Sequence, residues 1–360
     1  MHLYVGTYTR ASSYHTAGKS QGLYVYQVDV TTGVATLQSV VKGIDDPSFV
    51  AVDSKQRTLY AVSEVGGWEE CTVSAYAIDP QTGDLRYLNK QVTLGSSAAH
   101  IAIDRNDRYV FTANYSGGKA VAMFPVREDG GLAPACWSVE HEGSGPVAAR
   151  QERSHPHCTV IDPTNRYVYV NDLGIDKIMM YQLDAEKGRL EAISKSGFHL
   201  EPGSGPRHLT FHPNGRFAYI TLELNSMVSV LAVEPETGRL TLLQTLPMLP
   251  DDFHAWNTAA DIHVSPDGRF LYASNRGHDS IAIYQIDPES GTLTLVGRQS
   301  TLGKIPRNFA IDPSGKLLLV ANQDTDTVVS FHIDAESGML TPTGQVIEVP
   351  TPVCVKLVKW

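Results

Sequence analysis

FAYITLE, residues 217–223, is a bulky apolar run that follows the turn Pro213-Asn214-Gly215 and stops on a carboxylate. The same shape recurs as TLYAVSE (58–64), YVFTANY (109–115), YVYVNDL (167–173), FLYASNR (270–276) and LLLVANQ (317–323), and HLYVGTY (2–8) opens the chain with a seventh copy. Each copy is followed by a polar turn closing on a glycine: Gly33, Gly83, Gly131, Gly188, Gly238, Gly291 and Gly338. Those glycines fall 47 to 57 residues apart, a spacing that signals a repeat architecture. Within one period the runs are short, β-branched and aromatic, broken by Asp, Pro and Gly, with no helical spacing. Four strands fit: A before the turn, B the aromatic run, C of the SIAIYQID kind (280–287), and D after the glycine. Four-stranded units repeated radially are the blades of a β-propeller.

The chain ends support closure. TPVCVKLV (351–358) resembles a strand A, and residues 2–8 supply a strand B with no strand A before it. The expected fold is therefore all-β: a single seven-bladed β-propeller domain over residues 1–360, four antiparallel strands per blade, the first blade closed by the C-terminal strand. Pairing the two termini removes exposed sheet edges. Because neighbouring strands are antiparallel, B–C and D–A connections share one face of the ring. The long segments 9–22, 66–71, 138–154 and 249–259 are all of that kind, so this face is the expected functional one.

Composition narrows the partners. With 42% hydrophobic residues the chain can build a large core, and a net charge of −10 lacks a nucleic-acid footprint. Cys71, Cys136, Cys158 and Cys354 lie far apart with no CxxC pair, which suggests neither zinc nor a disulfide framework. No signal-like or membrane-spanning run appears. The expectation is a cytoplasmic protein without membrane or nucleic-acid partners, a monomer or weak homo-oligomer.

Two positions per blade should ring the channel mouth. The start of strand A holds Val353, Ser48, Ala99, His157, Arg207, Ala260 and Arg307, and the end of strand B holds Tyr8, Glu64, Tyr115, Leu173, Glu223, Arg276 and Gln323. Arginines gathered at one mouth of an acidic protein repel one another, and an anionic ligand would relieve that repulsion. Asp261 and His100 lie one residue deeper and could support the ring; His208, His212 and His263 read as structural. His254, Trp256 and Asn257 sit on an inserted loop that either covers a sugar-like ligand or packs on its own blade.

YVGTYT (4–9), HPHCTVIDPTNRYVYVNDLG (155–174), GPRHLTFHPNGRFAYITLEL (205–224), SPDGRFLYASNRGHDSIAIY (265–284) and IPRNFAIDPSGKLLLVANQ (305–323) resemble the seven-bladed propeller lactonases of the 6-phosphogluconolactonase type. That family also includes the fungal 3-carboxy-cis,cis-muconate cyclising enzyme. The resemblance implies a catalytic set of one histidine, two arginines and a glutamate: His157, with His155 the second choice, Arg207, Glu223 and Arg276. His155, Arg307, Glu64, Tyr8, Tyr115 and Gln323 are the expected substrate-binding residues. The implied reaction is hydrolysis of a small anionic sugar-acid lactone such as 6-phosphogluconolactone, within the pentose phosphate pathway. His157 or Glu223 would activate water, with Arg207 and Arg276 on the oxyanion or a substrate carboxylate. Arg307, with Arg153 or Arg10, would take a phosphate. Cycloisomerisation of a carboxylated muconate and a non-catalytic binding platform are the alternatives. No cofactor is expected, and no metal: no carboxylate cluster stands beside His155 and His157 in the sequence.

Overall fold

The tyrosine of the aromatic runs and the glycine of the polar turns are each other's partners. In the computed structural model, which describes residues 1–11 and 18–359, the Tyr4 hydroxyl donates to the Gly83 carbonyl at 2.9 Å, Tyr169 to Gly238 at 2.7 Å, Tyr219 to Gly291 at 3.0 Å and Tyr272 to Gly338 at 2.8 Å. Each bond runs from strand B of one blade to the C–D turn of the next. Tyr60 does the same with Gly130 at 2.9 Å. The turn glycine of the third repeat is thus Gly130, at φ +84°, and not Gly131. The C–D turns need a residue at positive φ, which glycine adopts at least cost.

Seven antiparallel sheets result. The first places Pro352–Val358 beside His2–Thr7, followed by Gly22–Val28 and Ala35–Lys42, so the C-terminal strand closes the first blade as expected. In blade four the outer strand is in two pieces, Arg189–Ala192 and Phe198–His199, both paired with Lys177–Asp184. The A strands of successive blades touch all the way round, the last meeting that of the first, and they form the channel wall.

Seven apolar clusters fill the spaces between successive blades. A strand B such as Phe217–Leu222 is buried along its whole length, whereas the outer strand Leu240–Pro247 is largely exposed. Burial on both faces of the sheet explains why the B strands read as unbroken apolar runs instead of alternating ones. On the opposite face, Asp162 Oδ1 accepts the amides of Arg166 at 2.8 Å and Tyr167 at 2.7 Å, and Asp312 repeats this with Lys316 and Leu317. The Asp-Pro turns are therefore fastened by their own carboxylate. Among the described residues no helix is long and apolar enough to cross a membrane.

Candidate active site

In six of the seven blades the ring position at the start of strand A is a β-bulge; in blade two Ser48 precedes the unshifted strand Val50–Val52. In blade four Pro156 pairs with Asp172 and Cys158 with Asn171, leaving His157 as the extra residue. Ala99, Arg307 and Val353 are left over in the same way in blades three, seven and one. In blade five Arg207 and His208 together face Thr221, and in blade six Ala260 and Asp261 face Ser274. A bulge re-aims its side chain out of the alternating pattern, and in these six blades it turns one or two residues toward the axis.

The mouth is a cavity of about 360 Å³ lined by Tyr8, Glu64, Tyr115, Arg150, His157, Glu223, Trp256, Arg276, Arg307 and Gln323 among others. Below it a void of about 10 Å³ is bounded by Ser48, Phe49, His157, Arg207, His208 and Arg307. A larger groove of about 1080 Å³, between blades two and three on the opposite face, contains none of the ring residues. It lies far from the convergent charges, and we assign the site to the smaller mouth.

Glu223 organises the mouth. Its Oε1 accepts from Arg150 Nη2 at 2.5 Å, and its Oε2 lies 2.9 Å from both Arg207 Nε and Arg276 Nη2. The Arg207 contact is an ion pair whose N–H is not aimed at the carboxylate; Nε and Nη1 of this buried guanidinium have no hydrogen-bond acceptor. Burial alone would raise the Glu223 pKa, but Arg276, Arg150 and Arg207 hold it far below the ordinary value, so this carboxylate is a poor proton acceptor. His157 is also pushed well below the usual histidine range, first by burial and then by Arg207, His208, Arg307 and Arg276. It is a neutral imidazole at pH 7, with Nδ1 unpartnered. Arg207 falls to about 9 through burial and the neighbouring arginines, and it stays cationic at neutral pH. Across the mouth, Arg307 lies over the Tyr8 ring, 5.5 Å from its centroid, and 3.8 Å from Glu64, which accepts from the Tyr8 hydroxyl at 2.9 Å.

Residues 2–357 match the family described as "Lactonase, 7-bladed beta-propeller". The chain belongs to this lactonase family. It is 38% identical over 354 residues to the 6-phosphogluconolactonase of Bacillus subtilis, covering 98% of this chain and 97% of that one. Among solved structures, a putative 6-phosphogluconolactonase from Bacteroides uniformis is 39% identical, with a TM-score of 0.91 and 99% of each chain covered. The periplasmic gluconolactonase of Pseudomonas aeruginosa is 38% identical, with the same TM-score and coverage. By class this lactonase is a hydrolase that opens a cyclic ester.

Most residues singled out from the sequence reach the lactonase mouth: His157, Glu223, Arg276, Arg307, Glu64, Tyr8, Tyr115 and Gln323 line it, and Arg207 forms its floor. His155 stands behind the wall. It stacks on Tyr115 with centroids 4.5 Å apart, and its ring nitrogens bond the Tyr115 carbonyl at 2.7 Å and Glu152 at 3.1 Å. It braces Tyr115 and does not line the cavity. Arg10 pairs with Asp45 and Arg153 with Glu152 outside the mouth; residues 12–17 of the 9–22 loop fall outside the described residues. His254 is exposed and outside the lining, while Trp256 covers the mouth. Asn257 packs the loop down by bonding Ser226, Asn275 and the His278 amide. Gly277, at φ +118°, admits the loop, since a Cβ there would run into the Trp256 carbonyl.

Arg150 was not anticipated. The loop offers Arg150 and Arg153 with equal claim, and Gln151 decides between them. Buried, it donates to the Leu173 carbonyl at 2.8 Å and accepts from the Val147 amide at 3.1 Å, which turns Arg150 inward. No local sequence signal carries that choice.

Proposed function

We propose that this protein hydrolyses 6-phosphogluconolactone, or a closely related anionic sugar-acid lactone, at the mouth built around Glu223. The reading is carried by one observation: buried donors without acceptors lie at and just beneath a cavity of about 360 Å³, namely Arg276 Nε in its lining and Arg207 Nε and Nη1 below it, beside a neutral His157. Such groups cost free energy unless a ligand or water satisfies them. The cavity suits a ligand of sugar size.

In the proposed mechanism a water adds to the lactone carbonyl carbon while His157 takes its proton. Arg207 and Arg276 meet the oxyanion of the tetrahedral intermediate. The ring C–O bond then breaks, the leaving oxygen recovers the proton, and the carboxylic acid so formed releases its own proton to solvent, leaving a carboxylate against the same guanidinium groups. Glu223 serves as their anchor. Arg307 and Arg150, on opposite sides of the mouth, are the proposed phosphate contacts, and Trp256 covers the apolar face of the sugar. The same arginines would suit a carboxylated muconate, so cycloisomerisation is the second reaction the site could support. A binding platform fits less well, because the mouth is charged and, among the described residues, Trp256 is its one strongly exposed aromatic.

The test is hydrolysis of 6-phosphogluconolactone, unphosphorylated aldonolactones and muconolactones, with spontaneous hydrolysis subtracted. The phosphorylated lactone should be preferred, and Arg207→Ala should lower its kcat about 10²–10³-fold, as for loss of one oxyanion donor. Equal and negligible rates for wild type and variant would sink the proposal. We also propose a cytoplasmic location, which the buried free thiols Cys71, Cys158 and Cys354 support. Fractionation checks it, against the example of the periplasmic Pseudomonas relative.

A further inference from the structure

Beneath His157 the channel holds a second tier of ionisable groups that the proposed mechanism leaves unused. His208 Nδ1 bonds Asp261 Oδ1 at 2.7 Å, across the interface between blades five and six. Asp261 is itself buried; its Oδ2 accepts from His263 Nε2 at 2.9 Å and also from Asn308 and the Phe309 amide. The opposite nitrogen of His208, Nε2, is buried without a partner, as is Nδ1 of His157. The two rings meet edge to face with centroids 5.2 Å apart. Both border the void of about 10 Å³ under the mouth, which has the capacity of about one water.

We propose that His208 and Asp261 are positioning residues that draw the catalytic proton off His157 and fix its tautomer during lactone hydrolysis. The proposal rests on the lactonase reading above. As the lytic water gives its proton to His157 Nε2, the proton on His157 Nδ1 passes through one water in the void to His208 Nε2. The Nδ1–H of His208 stays on Asp261, and the hydroxide so formed bonds to the lactone carbonyl carbon. The positive charge thus comes to rest beside a carboxylate and away from Arg276 and Arg307. When the ring C–O bond breaks, the proton returns by the same path to the leaving oxygen.

The charges around the pair fit this direction. His157 faces Arg207, Arg276 and Arg307, which oppose its protonation, while His208 faces Arg207 but also Asp261. His100, whose ring centroid is 5.4 Å from that of His208, is kept neutral by burial and by His208. His263, on the far side of Asp261, completes the set.

The experiment compares wild type with Asp261→Asn and His208→Gln, the second leaving Asp261 its other partners should the first fold poorly. Both should lower kcat at least tenfold with KM within twofold. Asp261→Asn should also shift the acidic limb of the kcat profile to lower pH, because His208 loses the group that favours its charged form. A purely structural role would leave that limb in place. Unchanged kcat and an unmoved limb in folded variants would overturn the proposal. Histidine-detected NMR separates this from failure of the lactonase reading: the His157 and His208 rings should titrate as a coupled pair, and His208→Gln should change the His157 titration. Independent titration overturns the relay, whatever the lactone assays give.

Discussion

Replacing Glu223 with Gln keeps the shape of the side chain and removes the charge on which Arg150, Arg207 and Arg276 converge. At an effective dielectric of about 20, one ion pair with its charges 4 Å apart is worth about 4 kcal/mol before desolvation. Arg207 and Arg276 are both buried, so their pairs count nearly in full; the Arg150 side chain is 38% exposed and must be discounted for screening. Glu223 loses several kcal/mol of hydration on burial, so the net cost of breaking the cluster is expected in the range of about 3–5 kcal/mol found for buried pairs losing one partner. At about 2.1 cal/mol/K of unfolding entropy per residue, a chain of 360 residues then loses about 4–7 °C in Tm. Scanning calorimetry at pH 7.5 measures it. Inorganic phosphate should raise the Tm of the variant more than that of wild type, because the released guanidinium groups accept an anion. Glu223→Gln combined with Arg207→Met should be less destabilised than the sum of the two single variants. A Tm within about 1 °C of wild type and no differential response to phosphate would mean that the three guanidinium groups do not depend on the Glu223 charge.

His157→Asn should lower kcat by about 10²–10⁴-fold, the usual contribution of a general base, with KM little changed. In wild type kcat/KM should be flat from pH 7 to 8, with its acidic limb well below 6.5. Arg207→Met should move that limb upward, since Arg207 is the leading charge that opposes protonation of His157; an unmoved limb would separate His157 from the chemistry. His208 is lowered from 6.5 to about 4, chiefly by burial. Its contribution to stability is thus complete above pH 6.5 and lost as pH falls toward 4, amounting to about 2 kcal/mol at pH 5. Buried His100 and His157 act in the same direction, so urea midpoints should drop clearly between pH 7.5 and 5, and equal midpoints would contradict neutral burial. Trp256→Ala should raise KM several-fold with kcat preserved, which steady-state kinetics will show; a kcat loss instead would give Trp256 a part in the chemical step.

The fold was legible because its two sequence signals are bonded to each other. A tyrosine such as Tyr219 in one repeat and a glycine such as Gly291 in the next meet across five of the seven interfaces, so the repeated pattern reports a contact made in three dimensions. The ring of strand starts was legible for a related reason: one position per blade, counted from the turn, falls in six of seven blades on a bulge that faces the axis. Counting could not show that Arg207 and His208 share a bulge, and so His208 read as structural. Nor could it show that His208 meets Asp261 from the neighbouring blade, 53 positions away. The choice of Arg150 over Arg153 rests on the buried amide of Gln151, and the bracing role of His155 rests on the ring of Tyr115. The candidate base changed as well. From the sequence, Glu223 and His157 had equal claims, but three guanidinium groups on one carboxylate leave the histidine as the group able to accept a proton.

Opening of an anionic lactone between His157 and the buried guanidinium groups is best tested by a crystal structure with 6-phosphogluconate bound. The product carboxylate should lie within hydrogen-bonding distance of Arg207 or Arg276 and near His157, with the phosphate on Arg307 or Arg150. A ligand seated in the groove between blades two and three, or a mouth that binds the product with its carboxylate away from both Arg207 and Arg276, would contradict it.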